Sequence, residues 1–282
     1  VCIDLHVHSN ASDGSDAPAS VVQQAVAAGL DVIALTDHDT LAGHAEALAA
    51  LPGTDLSLVT GVELSCVIEG TSLHLLGYLF DPDNEALAHE LDLLRTDRTR
   101  RARAMVDKLT TLGVDVTWEQ VARIAGDAAV GRPHVALALV ESGVVPDVPG
   151  AFTPEWIGSD GRAYVEKYAL DPLRAIALVR QAGGVTVFAH PLASTRGPIV
   201  GDDVIVAMAA AGLHGLEVDH PDHDEPARKK LRGLAAELDL LITGSSDFHG
   251  TVKDTPLGAE TTGRAVYEAL VAQAHGAAPV RG

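Results

Sequence analysis

The chain is poor in aromatic side chains: four Phe, four Tyr and two Trp make up 4% of its 282 residues. A core must therefore be built from Ala, Val and Leu, and 47% apolar residues is enough to build one. Cysteine is nearly absent. Cys2 and Cys66 cannot supply a disulfide framework, and their spacing is not that of a thiolate metal site; buried hydrophobes in a reducing cytoplasm are expected instead. No run approaches the roughly 18–20 apolar residues a membrane span needs, and no secretory leader is read. Basic charge is short as well. Against 39 Asp and Glu stand 20 Lys and Arg, for a net charge of −19, which opposes binding to duplex nucleic acid. A small phosphorylated partner stays compatible if something cationic sits in its site, and bound divalent metals supply that charge.

What is present in excess is histidine, 13 residues. The chain alternates short apolar runs with amphipathic stretches: "VCIDLHV", "APASVVQQAVAAGL", "DVIALTDH", "TLAGHAEALAAL", then "LSLVTGVELSCVIEG" and "TSLHLLGYLF" with a turn at Gly70. After a gap the rhythm resumes with "DPLRAIALVRQAG", "GVTVFAHP", "DDVIVAMAAAG", "LHGLEVDHP", "DEPARKKLRGLAAELD", "LLITGSSDFHG" and "RAVYEALVAQAHG". Strands alternating with helices argue for a parallel sheet with crossover helices, and six or seven such units favour a closed or nearly closed barrel. The gap reads as helical throughout. The expected organisation is thus a β/α barrel from 1–80 and 165–282, with an all-helical insertion, 81–164, capping the active site.

Histidines and acids fall where such a barrel would gather them. His6 and His8 end the first strand, Asp37 and His38 the second, and Glu63 lies late in the third. His74 sits within the fourth, His190 ends "VTVFAH", and Asp247 and His249 follow "LLITGSS". Parallel barrels build active sites at the C-terminal rim of their strands. Side chains two apart on a strand share a face, so His6 and His8 can present two imidazoles to one ion. An isolated H-x-H pair is weak; the same rim carrying all these groups is not.

The series "DLHVHSNASDGS", "ALTDHDT", "GVELS", "LHLLGY", "FAHP" and "GSSDFHG" resembles the polymerase and histidinol phosphatase (PHP) superfamily over essentially the whole chain. The resemblance implies an α/β fold, a distorted seven-stranded (β/α)7 barrel, with a cluster of up to three metals. Carried over to this sequence, it implies a first metal on His6, His8, Glu63 and Asp247. Glu63 would bridge to a second on His74 and His190, and Asp13, His38 and His249 would hold a third. Two to three divalent ions are expected, with Mn, Fe or Zn equally suited to nitrogen and oxygen ligands. The "GRPHVA" segment resembles the nucleotide-type phosphoesterase branch. The expected reaction is hydrolysis of a phosphomonoester of a small nucleotide, AMP-like or a nucleoside 3′,5′-bisphosphate, by in-line attack of a metal-activated hydroxide. Asp13, Glu63 and His220 are the expected catalytic groups.

Phosphate contacts must come from cations elsewhere. Arg132 and His134 of "GRPHVA" and Lys167 are candidates, although Arg-Pro-His also suits a helix start and Lys167 a solvated charge. His220 of "EVDHPDHD" suits a leaving-group acid or a substrate contact, and His223 an ordinary rim position. Asp37 could orient His38 or help cap the following helix. The arginine-rich "RTDRTRRARAMVDKL" is diluted by Asp92, Asp97 and Asp107 and reads as a salt-bridged helix face. Three rival activities share parts of this pattern: a 5′–3′ exoribonuclease on short RNA, a histidinol-phosphate phosphatase, and an amidohydrolase cleaving C–N bonds. A metal-binding accessory domain without activity is the non-enzymatic alternative.

Overall fold

A computed structural model of the chain describes residues 1–126, 130–166, 168 and 170–282. They form two compact units, Val1–Leu91 with Ala169–Gly282, and Asp92–Tyr168. The first unit opens with β1 (Ile3–Val7), α1 (Pro18–Ala27), β2 (Val32–Leu35), α2 (His44–Ala49), β3 (Ser57–Ile68) and β4 (Thr71–Tyr78). Helix α3 (Glu85–Thr111) carries the chain into the second unit, which adds α4 (Trp118–Ala125), α5 (Arg132–Glu141) and α6 (Val148–Ala151). The first unit then resumes with α7 (Pro172–Gln181), β5 (Val185–Phe188), α8 (Asp202–Ala210), β6 (Gly215–Asp219), α9 (Glu225–Glu237), β7 (Leu241–Gly244), α10 (Arg264–Gln273) and β8 (Val280–Arg281). Among the described residues, no helix is long and apolar enough to cross a membrane.

Helix starts follow from local chemistry. Asp171 accepts from the N–H groups of Leu173 and Arg174 ahead of α7, and Asp224 accepts from Ala227 ahead of α9. In both helices proline occupies the first turn, where its missing N–H costs nothing.

Seven strands form one nearly closed sheet in the order β1 to β7, with β8 added beside β3. The seam between β1 and β7 is closed just past β7: the His8 N–H donates to the Phe248 carbonyl at 2.9 Å. Below it, the buried Asp4 carboxylate accepts from the N–H groups of Ser246 at 3.1 Å and Gly258 at 2.9 Å. The fully parallel sheet expected from the alternation needs one correction. β4 runs antiparallel to both β3 and β5, because Glu69 and Gly70, with φ of 49° and 79°, turn the chain directly back in a hairpin too short for any crossover. His74, early in β4, reaches the rim only because the strand is reversed.

Two apolar layers sandwich the sheet. Ile3, Leu5, Val32, Ala34, Val59, Leu76, Tyr78, Val185 and Val187 pack in one cluster. Ile33, Leu35 and Leu58 pack with Val21 and Val22 of α1 in another. Strand β1 changes layers midway: Leu5 belongs to the first cluster and Val7 to the second. The cause is a register slip, since Asp4 pairs with Ile33 but Val7 with Leu35. A bulge of this kind re-aims side chains, and here it lets His6 and His8 follow Leu5 on the barrel's inner side.

The second unit has its own core, including Met105, Leu109, Val121, Val135, Leu139 and Ile157. Its arginine-rich helix is salt-bridged as expected, with Arg95 on Asp92 and Arg100 on Asp97.

Gly61 tests the close approach of β2 and β3. A Cβ there would lie 2.8 Å from the Thr36 methyl and 2.9 Å from the Leu35 carbonyl oxygen. Gly61→Ala should lower stability by about 1–3 kcal/mol, read as a reduced urea midpoint; an unchanged midpoint would reject the packing.

Candidate metal centre

The nine expected ligands meet at one end of the barrel, and Glu63 is where they converge. It is 1% exposed. Its Oε1 lies 2.9 Å from His74 Nδ1 and 3.1 Å from His190 Nε2. Its Oε2 lies 3.2 Å from His6 Nε2, 3.1 Å from His8 Nε2 and 3.2 Å from His38 Nδ1. Asp247 approaches from the turn just past β7, with Oδ1 3.3 Å from His6 Nε2 and 3.2 Å from His8 Nε2. Asp13 returns on the turn after β1, its Oδ1 3.3 Å from His249 Nε2 and its Oδ2 3.5 Å from His38 Nε2. At 44% its side chain is far more exposed than its neighbours, so it marks the open side of the centre.

Three overlapping groups have the proximity of metal ligands: His6, His8, Glu63 and Asp247; His38, Glu63 and His74; and His8, Asp13, His38 and His249. His8 and His38 are thus shared more widely than the family pattern implied. His190 touches Glu63 but stands outside these tightest groups.

The chemistry of the site suits metal ions. His6 Nε2 and His8 Nε2 face each other at 3.0 Å. Glu217 engages the other nitrogen of His6, so His6 Nε2 is left as an acceptor facing His8, a pair that either a proton or a metal ion can bridge. Buried carboxylates also demand compensation, since an unpaired charge in an apolar interior is costly. In the metal-free protein protons meet part of that demand. Burial pushes the His8 imidazole down, but hydrogen bonds to Asp247 and Glu63 outweigh it and raise its pKa to about 9. For His38 burial wins over Glu63 and Asp13 and lowers the pKa to about 3; its buried Nδ1, although 3.2 Å from Glu63 Oε2, makes no hydrogen bond. A set of nitrogen and oxygen donors without thiolate fits Mn²⁺, Fe²⁺ or Zn²⁺.

Backbone strain accompanies the site. His190 and Asp247 adopt φ of 32° and 52°, a region that costs a non-glycine residue about 1–3 kcal/mol and persists where surroundings over-determine it.

Several supporting residues were not assigned from sequence. Glu217, fully buried on β6, accepts from His6 Nδ1 at 2.9 Å and from the His190 backbone N–H at 2.8 Å. One carboxylate thereby fixes two candidate ligands. An acid flanked by Leu216 and Val218 inside a strand was the available signal. Lys253 places Nζ 2.7 Å from Asp247 Oδ2, and nothing in its sequence context announces this. Asp37 neither orients His38 nor caps a helix. Its oxygens accept from the Ser9 N–H, the Ser9 hydroxyl and the Ser12 hydroxyl at 2.7–2.8 Å, securing the turn that brings Asp13 back. Asp39 similarly holds Ser65 through its N–H and hydroxyl.

His220 is 1% exposed, with Nε2 3.4 Å from Asp247 Oδ2. Its Nδ1 accepts from the Asp222 N–H at 3.0 Å, so the neutral ring carries its proton on Nε2, toward the centre. His223 is engaged by the Val218 carbonyl and the Leu192 N–H, an ordinary structural histidine. Arg132 and His134 open α5 in the second unit. The Arg132 guanidinium lies over the Phe152 ring, 5.4 Å from its centroid, and His134 Nδ1 accepts from the Gly131 N–H. Lys167 lies outside the described residues.

Two outcomes follow. Glu217→Gln should weaken divalent metal binding by about 10–100-fold in a calorimetric titration of folded protein; wild-type affinity would reject its role in positioning His6. Because His8 keeps its proton up to about pH 9 in the metal-free protein while a metal needs the neutral ring, binding at pH 7 should expel protons. Apparent affinity should then rise with pH from 7 towards 9, and titrations in buffers of different ionisation enthalpy should give different heats. Identical heats would contradict this.

The PHP-domain family model matches residues 4–114. A Haemophilus influenzae protein named 5′–3′ exoribonuclease is 35% identical over 246 residues, 87% of this chain and 89% of its own. A Chromobacterium violaceum protein named 3′,5′-nucleoside bisphosphate phosphatase is 33% identical over 248 residues, 88% of this chain and 87% of its own. A Bifidobacterium adolescentis crystal structure, described as a candidate metal-dependent phosphoesterase, superposes with a TM-score of 0.88 at 35% identity, covering 97% of this chain and 96% of that one. With the rim of histidines and acids already in place, these likenesses settle its kinship: the chain belongs to the PHP superfamily.

Proposed function

We propose that this protein is a metal-dependent phosphatase that hydrolyses a phosphomonoester of a small nucleotide, AMP-like or a nucleoside 3′,5′-bisphosphate. The observation that carries the proposal is the sharing of Glu63, whose two oxygens face separate sets of imidazoles. Such a carboxylate sets cation positions side by side, the arrangement that clamps a phosphoryl group. His6, His8, Glu63 and Asp247 would hold one ion, Glu63, His74 and His190 a second, and Asp13, His38 and His249 a third. Bound there, divalent ions would supply Lewis acidity toward phosphoryl oxygens and lower the pKa of a coordinated water toward ~7.

The chain's own groups orient and shuttle protons. Glu217 and Asp37 hold His6, His190 and the Asp13 turn in place. His220, its proton directed to Nε2 by the Asp222 N–H, donates to the departing oxygen. Arg132, His134 and Lys167 are the proposed phosphate contacts, and the helical insertion is the proposed cap over the barrel mouth. The name of the Chromobacterium relative supports a nucleotide bisphosphate substrate. That of the Haemophilus relative favours a second reading, stepwise 5′–3′ cleavage of short RNA at the same centre. An amidohydrolase with a lysine bridge is disfavoured, since Glu63 occupies the bridging place.

The test is a screen of metal-loaded protein against AMP, nucleoside 3′,5′-bisphosphates and 5′-phosphorylated oligoribonucleotides. Phosphate release from a mononucleotide is expected. Faster shortening of the oligonucleotides would favour the second reading. Intact phosphate esters together with an opened cyclic amide would sink both.

A further inference from the structure

His220 is loosely held at the end that faces the candidate metal centre. Its Nε2 is buried, makes no hydrogen bond and stands 3.4 Å from Asp247 Oδ2. The ring is aimed from behind, where the Asp222 N–H donates to Nδ1 at 3.0 Å. For Nε2 to point inward, the loop joining β6 to α9 must therefore keep its shape. One side chain grips that loop. Arg228, near the start of α9, reaches back over it: Nη2 donates to the His220 carbonyl at 2.9 Å and Nε to the His223 carbonyl at 3.1 Å. Its Nη1 lies 3.4 Å from Asp219 Oδ1 at the end of β6. Glu260, from the segment between β7 and α10, accepts from Nη2 as well. The guanidinium thus ties the end of β6 to both ends of the turn from His220 to His223. A planar fork can send N–H groups along several fixed directions at once, which an ammonium cannot.

We infer that Arg228 is a positioning residue, holding the loop so that His220 presents its Nε2 proton to the departing oxygen of the substrate. This role rests on the phosphatase reading and on the acid function given there to His220, and adds what sets that group's aim. In the hydrolysis, a water oxygen bonds to phosphorus while the ester P–O bond breaks. The bonding pair leaves with the alcohol oxygen, which takes the Nε2 proton, and the proton given up by water restores the ring through solvent. A ribose alkoxide is strongly basic and departs poorly without that proton, whereas a nitrophenolate is weakly basic and departs readily. Misalignment of His220 is therefore felt according to the leaving group. A loss of metal or a general loosening of the barrel would slow both kinds of ester alike.

Arg228→Lys keeps the charge and removes the fork. On metal-loaded full-length chain, kcat should fall about tenfold for AMP and less than about threefold for p-nitrophenyl phosphate. Adding Arg228→Lys to His220→Gln should cost nothing more, because a residue acting through His220 then has nothing left to position. Equal losses on the two esters, or a further loss in the double variant, overturn the positioning role. Nitrogen NMR of the imidazole rings in metal-free protein reads the same ring without any ester, with His220 identified by its absence from His220→Gln. The Nε2–H pattern of the wild type should give way to mixed tautomers in Arg228→Lys; an unchanged His220 signal also overturns the role. If Arg228→Lys lacks native circular dichroism, Glu260→Gln, which removes the outer charge on Nη2, replaces it in each measurement with the same expected direction and the same grounds for rejection. The failures separate. A moved His220 signal in a protein that cleaves no phosphate ester rejects the phosphatase reading and keeps the positioning role. Ester cleavage with an indifferent ring and equal losses does the reverse.

Discussion

A buried carboxylate surrounded by imidazoles is the constraint on which this molecule is organised. Glu63 has five histidine nitrogens within 3.2 Å, and Asp247 and Glu217 add two more buried acids. No arrangement of protons satisfies so many facing lone pairs equally. His8 is driven to hold a proton and His38 to lose one, although both lie on the same oxygen of Glu63. Divalent cations remove the conflict, because every imidazole can then be neutral and every carboxylate charged.

The fold bends to build this cluster. The β1 bulge moves His6 and His8 onto the barrel's inner side without losing the apolar packing of Leu5 or Val7. Reversal of β4 delivers His74 to the rim from the start of a strand rather than its end. Positive φ at His190 and Asp247 turns two candidate ligands inward just past β5 and β7. Supporting carboxylates then lock the arrangement: Glu217 spans His6 and His190, and Asp37 ties down the Ser9–Ser12 turn. Several departures from regular geometry thus serve the site, as expected where function rather than stability sets the conformation.

Much of the candidate site was legible in the sequence because its histidines and acids sit at strand ends, and strand ends are marked by the change from apolar runs to polar turns. "DLHVHS", "TDHDT", "FAHP" and "GSSDFHG" each show that change. Glu217 was missed because it lies inside a strand, where an acid carries no turn signal and its partner His6 is 211 residues away. The direction of β4 was not legible from alternation, which is the same for parallel and antiparallel strands; only the tight Glu69–Gly70 turn decides it. Asp37 was misread because its neighbour in sequence, His38, is not its partner in space. Lys253 shows the limit plainly: its contact with Asp247 depends on a loop path that no local pattern encodes.

If one carboxylate serves more than one cation, counting metals on a Glu63 variant reveals it. Wild-type protein, Glu63→Gln and Asp247→Asn would be loaded with Mn²⁺ or Zn²⁺, desalted, checked for native circular dichroism and assayed for bound metal. Loss of more than one ion per chain from Glu63→Gln, against a single ion from Asp247→Asn, is the predicted result. Wild-type stoichiometry in folded Glu63→Gln would contradict it.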